Sequence, residues 1–323
     1  MALVVGLHRS IDALFPRDVL VESLGPFAGD PASDSPSNDR PLADVRMVDS
    51  ADDLEGCDAL VTFTYDESFL SADLAWIHSV QAGVDRFPFD ALEGRGIRLT
   101  NSTGIHGDSV GETVVGYMLE FARGLHRHRD RERKREWRYP AWDETFTIDG
   151  ESLCVVGLGT LGRGIARRAD ALGMDVVGVR RTPTPVEHVR TVYVPDELED
   201  AVADARFVAV ATPLTDRTRG LFGADVLSAM REDAYLLNVS RGGVVDEDAL
   251  LDALRNDELA GAALDVFETE PLPAESPFWE LPEVIVTPHA SGSNREYGPR
   301  VGAIVRENVR RLADDEPLAN QVV

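Results

Sequence analysis

Three observations predict an α/β fold: two doubly wound parallel-sheet domains, Rossmann-like or flavodoxin-like, with a cleft between them. The chain has 323 residues, about two domains at roughly 150 residues each. Apolar strand-like runs alternate with helical stretches from end to end, the pattern that builds parallel sheets. A glycine-rich turn, Gly157-Leu158-Gly159-Thr160-Leu161-Gly162, follows an apolar strand directly and opens a helix.

The first strand is Leu3-Val4-Val5-Gly6-Leu7, and the Pro-, Ser- and Asp-rich segment Gly29 to Pro41 reads as an exposed connection. Strands follow at Val45 to Val48, Ala59 to Thr64, Trp76 to Val80 and Ile97 to Thr100. From Ser109 to Trp137 the period turns helical, with Val110, Val114, Tyr117, Met118, Phe121 and Leu125 on one face and Asp108 or Ser109 as the cap. A second series of strands runs through Glu151 to Val156, Asp175 to Val179, Phe207 to Ala211, Tyr235 to Val239, Ala262 to Asp265 and Val284 to Thr287. A final helix, Tyr297 to Ala313, is expected to pack back on the first unit. The expected division is residues 1–101 plus 292–323 as a substrate domain and residues 102–291 as a dinucleotide-binding domain.

Acidic residues number 57 against 32 basic, a net charge of −25. Such a surface repels nucleic acid and anionic membranes, so neither is an expected partner. No apolar run reaches the roughly 20 residues that span a bilayer, and Met1-Ala2-Leu3-Val4-Val5 lacks a charged signal-peptide start; the expectation is a cytoplasmic protein. Lys134 is the one lysine, so the other 31 basic residues are arginine. Acid-rich and lysine-poor composition suits a salt-filled, halophilic cytoplasm that screens self-repulsion. A GC-rich coding bias would explain the arginines but not the acids. Cys57 and Cys154 lack metal or redox spacing and read as small buried hydrophobes. Arg123 to Arg138 is dense in arginine and reads as a solvated face or a subunit contact. His126 and His128, two apart, do not share a helical face, so no metal is expected there.

The glycine turn carries the strongest local signal. Its first glycine permits the turn, the second lets a pyrophosphate approach the backbone, the third allows helix–strand packing, and the helix N-terminus attracts the anion. The next strand of an NAD site ends in an acid that holds the ribose 2′-hydroxyl. Here it ends Val179-Arg180-Arg181-Thr182. An arginine pair with a hydroxyl suits a 2′-phosphate, the alternative being two solvated loop arginines.

Three further segments carry a resemblance: Asn238-Val239-Ser240-Arg241-Gly242-Gly243-Val244-Val245-Asp246, Leu264-Asp265-Val266-Phe267-Glu268-Thr269-Glu270-Pro271, and Thr287-Pro288-His289-Ala290-Ser291-Gly292. With Thr212-Pro213-Leu214-Thr215 and Ala82-Gly83-Val84-Asp85, they resemble the signature segments of the D-isomer-specific 2-hydroxyacid dehydrogenases. The resemblance runs from about Ala59 to Asn308 and is loose over the first 50 or so residues.

What the resemblance implies agrees with the chemistry of 2-oxo acid reduction. Arg241 would grip the substrate carboxylate and polarise the carbonyl. His289 would donate the proton, and Glu270 would orient His289. Taken with the glycine turn and the arginine pair read above, the cofactor contacts expected are Thr113, Gly157, Gly159, Thr160, Leu161, Gly162, Arg180, Arg181, Thr182, Thr212, Pro213, Thr218, Val239, Asp265, Ser291 and Gly292. The substrate contacts implied are Tyr65, Ala82, Gly83, Val84, Arg241 and His289; Trp279 resembles a family residue near the active site. The resemblance implies reduction of 2-oxo acids to D-2-hydroxy acids in a homodimer; Arg180, Arg181 and Thr182 make NADPH the preferred hydride source, with NADH also used, and no metal is expected. Rival readings are a phosphoglycerate or a hydroxypyruvate/glyoxylate-type dehydrogenase, or a dinucleotide-sensing corepressor.

Overall fold

A computed structural model of the protein describes residues 3–24 and 43–323. The Gly29–Pro41 connection lies outside the described residues. The chain divides into two compact units, Met1–Ile105 with Ser293–Val323, and His106–Gly292.

The first unit contains β1 (Leu3–His8), α1 (Asp18–Leu24), β2 (Ala43–Val48), β3 (Ala59–Thr62), β4 (Trp76–Ser79), α2 (Phe89–Glu93) and β5 (Arg98–Asn101). The second contains α3 (Gly107–Arg123), α4 (Leu125–Arg133), β6 (Ser152–Val156), α5 (Thr160–Ala171), β7 (Asp175–Val179) and β8 (Thr191–Tyr193). It continues with α6 (Leu198–Ala203), β9 (Phe207–Val210), α7 (Ala224–Ala229), β10 (Tyr235–Asn238), α8 (Glu247–Arg255), β11 (Gly261–Leu264) and β12 (Val284–Val286). The final helix α9 (Tyr297–Ala313) belongs to the first unit.

In the first unit the sheet order is β2-β1-β3-β4-β5, every neighbouring pair parallel. A parallel sheet is covered on both faces, which is why its strands read as near-continuous apolar runs. On one face Val5, Leu7 and Val61 meet Leu20 and Leu24 of α1 and Val301, Val305 and Val309 of α9, so the final helix does return to this core. On the other face Leu60, Ile77 and Leu99 meet Phe69 and Leu92.

In the second unit the order is β12-β11-β10-β9-β6-β7-β8, again all parallel. The order reverses between β6 and β9, and in an open α/β sheet the ligand crevice lies outside the carboxyl ends of the strands at such a switch point.

The first unit runs to Ile105 and resumes at Ser293, beside the expected 1–101 and 292–323. Ser102 belongs to the first unit because its N–H donates to Gln81 O at 3.0 Å and its hydroxyl lies 3.1 Å from His78 Nε2. Three expectations need correction. The helix expected over 109–137 ends at Arg123: Gly124 takes φ 61°, the left-handed conformation that closes a helix, and α4 starts afresh with no buried residue. Neither Asp108 nor Ser109 caps α3. His106 occupies the cap position without a side-chain cap bond, while Asp108 pairs with Arg167 at 2.6 Å and the Ser109 hydroxyl donates to the His106 carbonyl at 3.3 Å. Strand β8 was not anticipated, because a three-residue, half-buried edge strand leaves no apolar run to read. Cys57 and Cys154 are both buried thiols in the cores, as expected.

Candidate active site

The fingerprint turn sits at the carboxyl end of β6. Gly157 has φ 102°, and a Cβ there would lie 2.7 Å from the Ala211 carbonyl. No side chain could occupy that place, because the chain leaving β9 toward Thr212 and Pro213 passes against the turn. A Cβ on Gly162 would fall 1.9 Å from Gly157 O, so α5 can approach the strand only through glycine. Gly159 is different: nothing lies within 4 Å of its would-be Cβ. It holds the cap position of α5 with no side-chain cap bond. An uncapped helix N-terminus beside open space fits a dinucleotide pyrophosphate, with the first-turn residues Thr160, Leu161 and Gly162 presenting their amides.

Arg180 follows β7 directly; its N–H donates to Tyr193 O at 3.1 Å and its guanidinium to Thr184 Oγ1 at 3.1 Å. It is half-buried, and Arg181 and Thr182 beside it are exposed.

Farther along the same sheet, Arg241 follows β10, and Asn238 Nδ2 donates to its carbonyl at 3.1 Å. Gly242 runs so close to the Phe267–Glu268 peptide that a Cβ would sit 1.9 Å from the Phe267 carbonyl carbon. The turn bearing Arg241 and the loop bearing Glu270 are thereby in contact. The same loop is also tied to the start of α8, where Glu247 Oε1 accepts the Glu268 N–H at 2.6 Å. Burial, more than the neighbouring acids, pushes the Glu247 pKa up.

Glu270 Oε1 accepts from Phe267 N–H at 3.1 Å, and Oε2 lies 2.8 Å from His289 Nδ1. A carboxylate only accepts, so Nδ1 carries the hydrogen of that bond and Nε2 is the ring nitrogen that Glu270 does not engage. The His289 side chain is 40% exposed and that of Glu270 37%, so a reactant can reach the imidazole. His289 itself holds φ 52°, a left-handed conformation uncommon outside glycine.

Asp265 explains how that conformation is held. It is 1% exposed. Its carbonyl accepts His289 N–H at 2.8 Å, Oδ1 accepts the Ala290 N–H at 2.8 Å, and Oδ2 accepts the Ser291 N–H at 2.9 Å. Thr287 Oγ1 adds a fourth bond, to Oδ1 at 2.6 Å. The start of α3 grips the far side of the loop: Thr113 Oγ1 donates to Ser291 O at 3.1 Å and Ser109 Oγ to Gly292 O at 3.2 Å.

Within this one unit the expected cofactor and catalytic residues thus gather at the carboxyl ends of the strands. Val239 is buried after β10, and Thr218 closes the Pro213–Thr215 loop by donating to Pro213 O at 2.6 Å. In the first unit Tyr65 packs edge-on against Phe69 and Phe87, with centroids 6.0 and 5.8 Å away. Ala82 and Gly83 are half-buried and Val84 is buried in the core; Asn101 Nδ2 donates to Ala82 O at 2.7 Å. Trp279 is half-exposed, its indole N–H on Pro273 O at 2.9 Å. Glu247 and Thr287 were not singled out from sequence as supports of the site. Thr287, two residues before His289 in the last signature segment, could have been; Glu247 gave no signal, since nothing along the chain links it to Glu268.

Among the described residues no cluster of three or more His, Cys, Asp or Glu is placed to hold a metal ion, and no helix is long and apolar enough to cross a membrane.

A family profile described as D-isomer specific 2-hydroxyacid dehydrogenase, NAD binding domain, matches residues 115–291. The chain is 34% identical over 242 residues to a D-3-phosphoglycerate dehydrogenase of Methanocaldococcus jannaschii, covering 75% of this chain but 46% of that longer protein. It is 33% identical over 267 residues to a glyoxylate reductase of Korarchaeum cryptofilum, covering 79% of this chain and 80% of the relative. A D-isomer specific 2-hydroxyacid dehydrogenase of Xanthobacter autotrophicus, solved with NADPH and MES, superposes with TM-score 0.80 at 29% identity, over 100% of this chain and 98% of that one. The chain belongs to the D-isomer-specific 2-hydroxyacid dehydrogenase family, and it is an NAD(P)-dependent oxidoreductase acting on CH–OH groups.

Proposed function

We propose that this protein reduces a small 2-oxo acid to the D-2-hydroxy acid and takes its hydride from NADPH in preference to NADH. The observation that carries the reading is the 2.8 Å Glu270–His289 pair, held beside the Arg241 turn in a sheet whose glycine turn is open for a pyrophosphate. Arg241 binds the carboxylate of the oxo acid through its planar fork and draws electron density from the adjacent carbonyl. His289, tied at Nδ1, delivers the Nε2 proton to the carbonyl oxygen. When bound, the reduced nicotinamide supplies the hydride to the carbonyl carbon. Asp265 Oδ2, which carries one bond in the loop, is the oxygen assigned to the carboxamide. Thr113, Thr212, Pro213, Thr218, Val239, Ser291 and Gly292 belong to the same cofactor assignment, and Tyr65 with the amides of Ala82, Gly83 and Val84 to the substrate.

The NADPH preference rests on Arg180, where an NAD site has an acid, with Arg181 and Thr182 exposed beside it. The complex of the Xanthobacter relative with NADPH supports it. The proposal extends to a homodimer joined through the arm that carries Trp137, Tyr139 and Trp142, which are 105, 90 and 92% exposed on the single chain. Aromatic side chains of that size are seldom left wet unless a partner covers them. A salt-rich cytoplasm is the proposed setting for the acid-rich surface.

The test is oxidation of NADPH and NADH in separate assays with glyoxylate, hydroxypyruvate, pyruvate and 3-phosphohydroxypyruvate. Turnover of a 2-oxo acid with NADPH at higher kcat/KM than with NADH is the expected result. A preference for 3-phosphohydroxypyruvate moves the assignment to the phosphoglycerate type, and tight dinucleotide binding without turnover moves it to a sensor.

A further inference from the structure

We propose that the Tyr117 hydroxyl is a positioning residue for His289, acting from helix α3 through Thr287 and Asp265. The inference rests on the reading of His289 as proton donor.

Tyr117 lies on the apolar face of α3 and is 5% exposed. Periodicity alone would class it as core. Yet its hydroxyl oxygen is 2.5 Å from Thr287 Oγ1, which in turn is 2.6 Å from Asp265 Oδ1. The direction of these bonds follows from counting hydrogens. A carboxylate has none to give, so the single Thr287 hydroxyl hydrogen goes to Asp265. Thr287 must then accept from Tyr117, whose phenol donates. Burial, the largest influence, pushes the Tyr117 pKa up to about 12, so the phenol keeps that hydrogen at any working pH.

The chain of bonds ends on the loop that matters. Asp265 accepts the backbone hydrogens of His289, Ala290 and Ser291, and so holds His289 at φ 52°. A non-glycine residue in that region persists only where its surroundings overdetermine it. Removing the first donor would leave the Thr287 hydroxyl held by Asp265 alone, and so loosen the anchor that fixes where the imidazole points. Successive bonds in a buried network also polarise one another, which strengthens the grip of Thr287 on Asp265. Tyr117 touches neither reactant in this account; its effect is on geometry, where small misplacements are costly to turnover.

The test is a double-mutant cycle of Tyr117→Phe and Thr287→Val, reading kcat, both KM values and the melting temperature. Tyr117→Phe keeps the ring and its packing. It should lower kcat about 3- to 10-fold, the scale of one net hydrogen bond, while the KM for coenzyme stays within about twofold. The double variant should be no slower than Thr287→Val alone, because both act on one chain. A wild-type kcat in Tyr117→Phe, losses that multiply in the double variant, or an effect confined to coenzyme KM would each overturn the proposal. If Tyr117→Phe does not accumulate, Thr287→Ser and Thr287→Val replace it; Ser, which keeps the hydroxyl, must exceed Val in kcat, and equal values overturn the link. Wild-type turnover and the loss of it in His289→Gln separate a failure here from a failure of the His289 reading.

Discussion

The interior of the five-stranded sheet and the carboxyl ends of the seven-stranded sheet each hold a histidine, in opposite circumstances. His78 on β4 is fully buried, with Nδ1 2.8 Å from Thr100 Oγ1 and Nε2 3.1 Å from Ser102 Oγ. Burial pushes its pKa down to about 3. His289 stands on a loop after β12, 40% exposed at the side chain, with Nδ1 on a carboxylate. The contrast teaches that solvent access and the partner decide what an imidazole does. A dry core and hydroxyl partners hold His78 neutral and structural, whereas His289 stands open to solvent with a carboxylate on Nδ1.

The largest expected effect comes from exchanging each ring for an amide. His289→Gln should lower kcat by about 10²-fold or more with the melting temperature nearly unchanged. His78→Asn should do the reverse, leaving kcat per folded molecule intact and costing about 1–3 kcal/mol through mismatched Thr100 and Ser102 hydroxyls. Steady-state kinetics and thermal melts on both variants decide it, and a kcat loss in His78→Asn as deep as that in His289→Gln would break the contrast.

A second measurement sharpens it within the seven-stranded sheet. Arg180 and its neighbours lie where charge is reached by solvent, so a substitution there should change recognition without cost to the fold. Each charge-assisted bond is worth about 1.5–3 kcal/mol, so Arg180→Asp should swing the NADPH to NADH ratio of kcat/KM by about 10² toward NADH. An unchanged ratio would show that the arginine does not face the 2′-phosphate.

Titration offers a smaller effect with a definite sign. The folded-state pKa of His78 is about 3 and the model-peptide value 6.5. Between those values the unfolded chain binds a proton that the folded one does not, so stability falls as pH is lowered through 6.5 and rises as pH is raised. The slope from this group approaches about 1.4 kcal/mol per pH unit. Melts from pH 7 to pH 5 should show a steeper decline for wild type than for His78→Asn; parallel curves would mean His78 protonates in the fold. Asp53, Asp66, Glu144 and Glu307, with pKa values lowered chiefly by hydrogen bonds, lose their share only at lower pH.

The smallest expected effect is global. A net charge of −25 should repel itself when salt is removed. The melting temperature in molar KCl should therefore exceed that in dilute buffer, by about 5 °C or more. Equal midpoints would end the salt-adaptation reading for both units alike.

Much of this molecule is legible along the chain, since some physics is local. Parallel strands covered on both faces must be apolar throughout, so Leu153–Val156 and Phe207–Val210 announce themselves. Gly157 and Gly162 are needed wherever a strand turns into a helix this tightly, and the Arg241, Glu270 and His289 segments each keep their residue types in order. What sequence could not supply is contact between residues far apart. The break at Gly124 depends on α4 having no core to bury against, and the short strand β8 exists only because β7 offers an edge. The bonds from Tyr117 to Thr287, across 170 residues, and from Glu247 to Glu268 appear only once the sheet has set its loops side by side. Residue type sets which proton or charge a side chain can carry; its burial, its partner and its angle are decided by neighbours that only folding brings near.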